Sequence, residues 1–207
     1  LLLSVGQVEQ TETILDVLPA AGLSDRLQRL ATSLRQLIAA VKRQPNPATL
    51  EPQLSTEFLA ASYYEQSRAV RETSLRAALV LARQAATNSP EFGFAWARVA
   101  ELEFSFGRIG PALKAVDKAL ALTPRNAEAL SVRGFLLAGQ NKTREAIEWF
   151  NQALAVDANL GNAWLGRGLC RIRRGDLGNY WLSRHPADSH VGLLVAHPAP
   201  AAVDPAP

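Results

Sequence analysis

The sequence predicts an all-α solenoid of stacked helix hairpins behind an N-terminal helical segment. Three observations carry this expectation. Alanine and leucine dominate, while aromatic residues make up 7% of the 207 positions, a bias that favours helix. Apolar and small residues recur in one register every 34 residues. Within each repeat, small residues fall seven apart, two helical turns, and so share one helix face.

The register is clearest when "KALALTPRNAEALSVRG" (118–134) is set against "QALAVDANLGNAWLGRG" (152–168). Ala119, Leu120, Ala121, Ala129, Arg133 and Gly134 recur as Ala153, Leu154, Ala155, Ala163, Arg167 and Gly168. Upstream, Trp96, Leu130 and Trp164 form one column, and Ala100, Gly134 and Gly168 another. Ala78, Ala112 and Ala146 are in register, as are Ala85, Ala119 and Ala153, while Pro90 and Pro124 close successive units. Each unit reads as two amphipathic helices with turns near Gly107–Gly110, Gln140–Thr143 and Gly175–Leu177. Small residues let the paired helices approach, and Trp96, Leu102, Leu113, Val116, Leu136, Ile147 and Phe150 fill the gaps between units.

On these residues the chain from about 59 to 177 resembles the tetratricopeptide repeat (TPR) family, whose 34-residue pattern carries Trp, Leu-Gly, Tyr, Ala, Phe, Ala and Pro at fixed spacings. "AWARVAELEFSFGRIGPALKAVDKALALTP" (95–124) matches best, with 129–156 close behind. The unit at 59–90 is weaker, with Ser62 and Gln66 in the Trp and small-residue columns. The fourth keeps Trp164, Gly168, Gly175 and Asp176 and then departs at Tyr180. The resemblance implies a right-handed α-solenoid of about three and a half repeats.

At the ends the pattern changes. Residues 1–18 and 25–44 read as helices, the second with Ser24 or Asp25 as cap and Leu27, Leu30, Leu34, Leu37, Ile38 and Val41 as its stripe. "GQVEQTETILDVLPA" (6–20) resembles the second helix of a further, degenerate repeat, and "QPNPATLEP" (44–52) breaks the pattern as a linker or corner. The expected organisation is N-terminal helices and linker over 1–52, the repeat array over 53–178, and an irregular Pro/Ala-rich tail over 179–207. An uncapped last repeat is a candidate surface for self-association.

Bulk composition narrows the function classes. The net charge of +3 does not call for nucleic acid, and one cysteine, Cys170, excludes an internal disulfide framework. No apolar run reaches the roughly 20 residues of a membrane span, and "LLLSVG" lacks the features of a signal peptide. A soluble protein, cytoplasmic or periplasmic, is expected. The chain has no methionine and starts within an apolar run, which points to a fragment of a longer chain.

"GRGLCRIRRGD" (166–176) invites three sharper readings, and the register answers two. Gly175-Asp176 falls at the hairpin turn, so Arg-Gly-Asp is turn chemistry. Gly-x-Gly without a preceding strand is no phosphate loop. Arg167, Arg171, Arg173, Arg174 and Arg184 cluster without interleaved aromatics and read as a solvated face. His185, His190 and His197, spaced five and seven apart among prolines, form no helix-face ligand set. Cys170 has no histidine base nearby and reads as a buried thiol, and Glu101 and Glu103 point to different faces. No catalytic, metal or cofactor site is expected.

The family resemblance implies that the first helices line a concave groove for an extended peptide or partner helix. Carried over by register, the groove takes Tyr63, Tyr64, Ser67 and Arg71 from the first unit, and Phe94, Arg98, Glu101 and Ser105 from the second. The third supplies Glu128, Ser131 and Phe135, and the fourth Asn162, Leu165 and Leu169. Some relatives clamp a C-terminal carboxylate with Lys and Asn. The matching positions here are Tyr63, Ser67, Arg98, Glu128 and Val132, of which only Arg98 could serve, so that role is disfavoured. The expected function is protein–protein interaction, as a scaffold holding a partner segment, without enzymatic activity. The alternatives are an accessory repeat region of a larger enzyme or membrane-associated protein, and an RNA- or anionic-surface-binding solenoid using the arginine cluster.

Overall fold

The computed structural model describes residues 8–18, 22–45, 51–68 and 72–176. Nine α-helices and no strands occur among the described residues: α1 (Val8–Asp16), α2 (Asp25–Lys42), α3 (Ser55–Ser67), α4 (Glu72–Asn88), α5 (Gly93–Ser105), α6 (Ile109–Leu122), α7 (Ala127–Gly139), α8 (Thr143–Val156) and α9 (Gly161–Arg173). Helices α3–α4, α5–α6 and α7–α8 pair as hairpins, each second helix packing onto the next first helix, and α5, α7 and α9 pack in sequence. The described residues form an all-helical solenoid of stacked hairpins. Residues 1–7, much of the 44–52 break, Arg71 and the 179–207 tail with its three histidines lie outside the described residues.

The alanine columns explain the close pairing. Ala78, Ala112, Ala146, Ala85, Ala119 and Ala153 are all fully buried, and a larger side chain at any of them would push its hairpin apart. Trp96 and Trp164 tie each first helix to the turn before it, their indole N–H groups donating to the carbonyls of Pro90 and Ala158, each at 2.8 Å. Asn126 caps α7, its Oδ1 accepting the Ala129 N–H at 3.0 Å.

The turns repeat atom for atom. Gly107, Asn141 and Gly175 share one column and all take positive φ, at 69°, 62° and 78°. The next residue's N–H reaches five residues back, Arg108 to Glu103, Lys142 to Leu137 and Asp176 to Arg171, at 2.9–3.0 Å. The column residue itself donates three residues back, to Phe104, Ala138 and Ile172. These paired bonds satisfy the helix-end carbonyls as a Schellman motif, and positive φ explains glycine or asparagine there. Arg174-Gly175-Asp176 is therefore a turn, closed by a 3.3 Å ion pair between its ends.

The first unit departs from the expected register. First helices begin at 55, 93, 127 and 161, intervals of 38, 34 and 34, whereas second helices end at 88, 122 and 156, intervals of 34 and 34. Four extra residues therefore precede the body of α4. Phe58, rather than Ser62, takes the Trp column, and Ser62, rather than Gln66, takes the small-residue column. Ser62 is fully buried, its Oγ donating to the Ala78 carbonyl at 2.8 Å, while Gln66 is half-buried.

Two glycines also trade roles. Gly168 occupies the small-residue column, yet a Cβ there would meet nothing within 4 Å. The close approach falls instead at Gly166, where a Cβ would lie 2.3 Å from the Phe150 ring. Phe150 is fully buried between Gly134 and Gly166 and meets Phe135 edge-on at 4.9 Å.

At the N-terminal end, α1 packs on α2 through Leu15, Ala31 and Ile38, with a Lys42–Glu12 ion pair beside them. Helix α2 packs on α3. Ser24 is the N-cap of α2, although its side chain makes no capping bond. Glu57 joins the two elements: it accepts Arg29 Nε at 2.8 Å and the N–H groups of Gln53 and Leu54 at 2.8 and 3.1 Å. Burial alone would raise its pKa, but the Arg29 and backbone bonds together hold it below the usual carboxylate value.

Candidate functional site

Because α3, α5, α7 and α9 stand side by side, residues one helical turn apart on each face a common hollow. It is a cavity of about 380 Å³ lined by Tyr63, Glu101, Phe104, Ser105, Glu128, Ser131, Val132, Phe135, Leu160 and Asn162. Seven of these, Tyr63, Glu101, Ser105, Glu128, Ser131, Phe135 and Asn162, belong to the expected groove columns, and Val132 is one of the clamp positions; Phe104 and Leu160 are new. Val132 sits one turn from Glu128 and Phe104 three residues from Glu101, spacings that place them beside expected residues. Leu160 is the N-cap of α9 and carries no such signal.

Other expected groove residues stand elsewhere. Tyr64 is buried, because the four-residue shift aligns it with Leu102, Leu136 and Cys170 of the core. Tyr63 stays on the open face, because four residues are close to one helical turn. Ser67 lines a second cavity of about 690 Å³ with Val8, Leu37, Ala40, Val41, Arg43, Tyr63 and Gln66, so Tyr63 forms a wall of both. Phe94 is exposed and lies 6.0 Å from Phe92. Leu165 and Leu169 are exposed on α9 in the same columns as Ser131 and Phe135.

Arg98 does not face the opening. It is fully buried beneath the hollow, donating from Nε to Ser62 Oγ and from Nη2 to the Ser62 carbonyl, both at 3.1 Å. Its Nη1 donates to Glu101 Oε2 at 2.7 Å, and its guanidinium lies 4.0 Å from the centre of the Tyr63 ring. Arg98 is thus the support on which Glu101 and Tyr63 rest.

Tyr63 completes the arrangement by reaching across α5. Its hydroxyl donates to Glu128 Oε2 at 2.8 Å, linking the first hairpin to the third. Burial, then the Glu128 charge, pushes the Tyr63 phenol well above its ordinary range. Glu128 is exposed at the hollow. Partial desolvation by the surrounding protein atoms, then the nearby Glu101 charge, raises its carboxyl pKa against the opposing effects of Tyr63 and Arg98. On the apolar side, Phe104 and Phe135 stack at 6.2 Å.

The remaining sequence candidates have structural partners. Arg167 Nη1 donates to Asn151 at 2.9 Å and its guanidinium lies over the Trp164 ring at 4.1 Å; Arg133 makes the matching bond to Asp117 at 2.6 Å one repeat earlier. Arg173 donates to the Ala138 carbonyl at 2.9 Å, and Arg171 also has a partner. Arg184 lies outside the described residues. Cys170 is buried, and burial pushes its thiol pKa up, opposed by Arg173. Glu103 points away from the hollow toward Arg83 and Arg108. No helix among the described residues is long and apolar enough to cross a membrane.

No family model and no curated protein matches the chain in sequence. Among solved structures it is similar to a tetratricopeptide repeat protein from Parabacteroides merdae ATCC 43184, with a TM-score of 0.47 and 20% identity over 90% of this chain and 68% of that one. It is also similar to the Assembly Chaperone of RpL4 (Acl4), residues 1–338, with a TM-score of 0.42 and 17% identity over 84% of this chain and 59% of that one.

Proposed function

We propose that this chain is a protein-interaction module that holds a segment of a partner in the hollow formed by its first helices. The observation that carries the reading is that one cavity is lined from four successive first helices, α3, α5, α7 and α9. A surface assembled by stacking is rigid, so a partner binds without ordering the receptor, and the stacked phenylalanines offer apolar contact beside polar groups that set register. The arginine-rich end supports the nucleic-acid alternative less well, because Arg167, Arg171, Arg173 and Arg174 already have partners within the chain.

The test places a photo-crosslinking amino acid at Ser105, on the rim of the cavity, or at Gln152, an exposed position on α8. Each variant is irradiated in a source lysate with and without nuclease. The expected result is a nuclease-resistant protein adduct from position 105 that disappears in an Asn162→Trp background, where the indole fills the hollow. Equal adducts from both positions, or an adduct removed by nuclease, would overturn the reading.

A further inference from the structure

The charges of the hollow do not balance. Two carboxylates, Glu101 and Glu128, face it, and one guanidinium, Arg98, lies beneath. That guanidinium is committed: two of its bonds go to Ser62 and the third to Glu101, which it neutralises. Glu128 is left with the Tyr63 hydroxyl, a neutral donor, and no ion pair reaches it among the described residues.

A second, independent observation lies one helical turn along α7. Ser131 lines the same cavity and is 3% exposed, yet its hydroxyl has no hydrogen-bond partner. Buried hydroxyls are ordinarily satisfied, and serine on a helix usually returns its proton to the carbonyl four residues back. An unpartnered hydroxyl beside an uncompensated carboxylate is an arrangement completed by a donor-rich cation. The walls fit the same guest: Tyr63, Phe104 and Phe135 supply aromatic surface, and Val132 and Leu160 suit an aliphatic stem.

We propose that the cavity receives a lysine or arginine side chain from an extended segment of the partner protein, with Glu128 as counter-charge and Ser131 accepting one of the guest's N–H bonds. This inference rests on the reading of the hollow as a partner site and adds which side chain occupies it. A peptide rather than a free small cation is the occupant, because the face continues past the cavity. Leu165 and Leu169, 59% and 52% exposed, extend the same columns on α9 and offer apolar contact to residues flanking the basic one. The site is thus opposite in sign to a carboxylate clamp.

The test is a phage selection of random octapeptides on the full chain, counter-selected on Asn162→Trp. Selected peptides are then measured by fluorescence anisotropy against wild type and Glu128→Gln. The glutamine retains an acceptor for Tyr63 and removes only the charge. The expected outcome is enrichment of lysine or arginine at one fixed position. Binding should fall about tenfold or more in Glu128→Gln, or when that residue is replaced by norleucine, and should weaken with salt. Selected peptides without a basic residue, or basic ones indifferent to Glu128→Gln, would overturn the cationic guest and leave the groove reading intact. A selection that enriches no peptide preferring wild type over Asn162→Trp would overturn both.

Discussion

Gly134 and Gly168 occupy the same sequence column, and the structure predicts opposite consequences for the same substitution. A Cβ at Gly134 would lie 2.7 Å from one carbon of the Phe150 ring and 2.9 Å from two more, against a normal carbon–carbon contact of roughly 3.5–4.0 Å. The ring has little room to retreat: it is fully buried, it also presses on Gly166, where the corresponding distance is 2.3 Å, and Phe135 packs against it at 4.9 Å. Overpacking costs about 1–3 kcal/mol, and replacing a mid-helix glycine with alanine returns about 1 kcal/mol, so Gly134→Ala should destabilise by up to about 2 kcal/mol. In a chain of this size a loss of about 2 kcal/mol lowers Tm by roughly 4–8 °C. Gly168→Ala meets nothing and should gain about 0.5–1 kcal/mol. Circular-dichroism melts and urea titrations of both variants read the difference. Phe150→Leu in the Gly134→Ala background should recover part of the loss, since the shorter side chain withdraws from the contact. If Gly134→Ala melted at or above wild type, or if both substitutions shifted Tm alike, Phe150 would not be wedged between α7 and α9 as described.

Three further outcomes are expected. Ser62→Leu should cost about 2 kcal/mol or more by overpacking a fully buried site that also accepts Arg98, whereas Gln66→Leu should stay within about 0.5 kcal/mol; equal melts would remove the four-residue shift. Glu57→Gln should destabilise at pH 7 by about 1–3 kcal/mol, because the carboxylate that pairs Arg29 and two backbone N–H groups is lost. Since the folded pKa of Glu57 lies below its unfolded value, its contribution is full above about pH 4.5 and fades as pH falls through the folded pKa. The melting gap between wild type and Glu57→Gln should therefore close toward acid, and a gap constant from pH 7 to pH 3 would contradict the pairing. Glu128 has the opposite sign: its raised pKa means that its charge opposes folding at neutral pH. Glu128→Gln should melt at or above wild type at pH 7, and a lower Tm would show that the carboxylate is structural.

The period was readable because its columns are set by contact. Ala78, Ala112 and Ala146 are fully buried between paired helices, and Gly107, Asn141 and Gly175 share a backbone conformation that few residues adopt. The shift in the first unit was hidden, because Ala78, Ala85 and Pro90 on the second-helix side keep the 34-residue register while the change lies upstream. Of the first unit's candidates Tyr63 stays on the hollow, since a four-residue slip nearly restores a helix face, while Tyr64 falls in the core and Ser67 lines the second cavity. Arg98 was misplaced for a different reason. Arginine is rarely buried unless paired, and nothing in the spacing shows that the neighbouring hairpin offers Ser62 as its partner. Gly166 carries no signal in the sequence because its contact, Phe150, comes from another unit.

The central claim is that the hollow between the first helices is where a partner binds. Its most direct test is a resonance-shift titration of isotopically labelled protein with a selected basic octapeptide. The account predicts shifts concentrated at Tyr63, Glu101, Ser105, Ser131 and Asn162, absent when the basic residue is norleucine. Shifts gathered instead at Arg171–Asp176, or around Val41 and Ser67 beside α1 and α2, would contradict it.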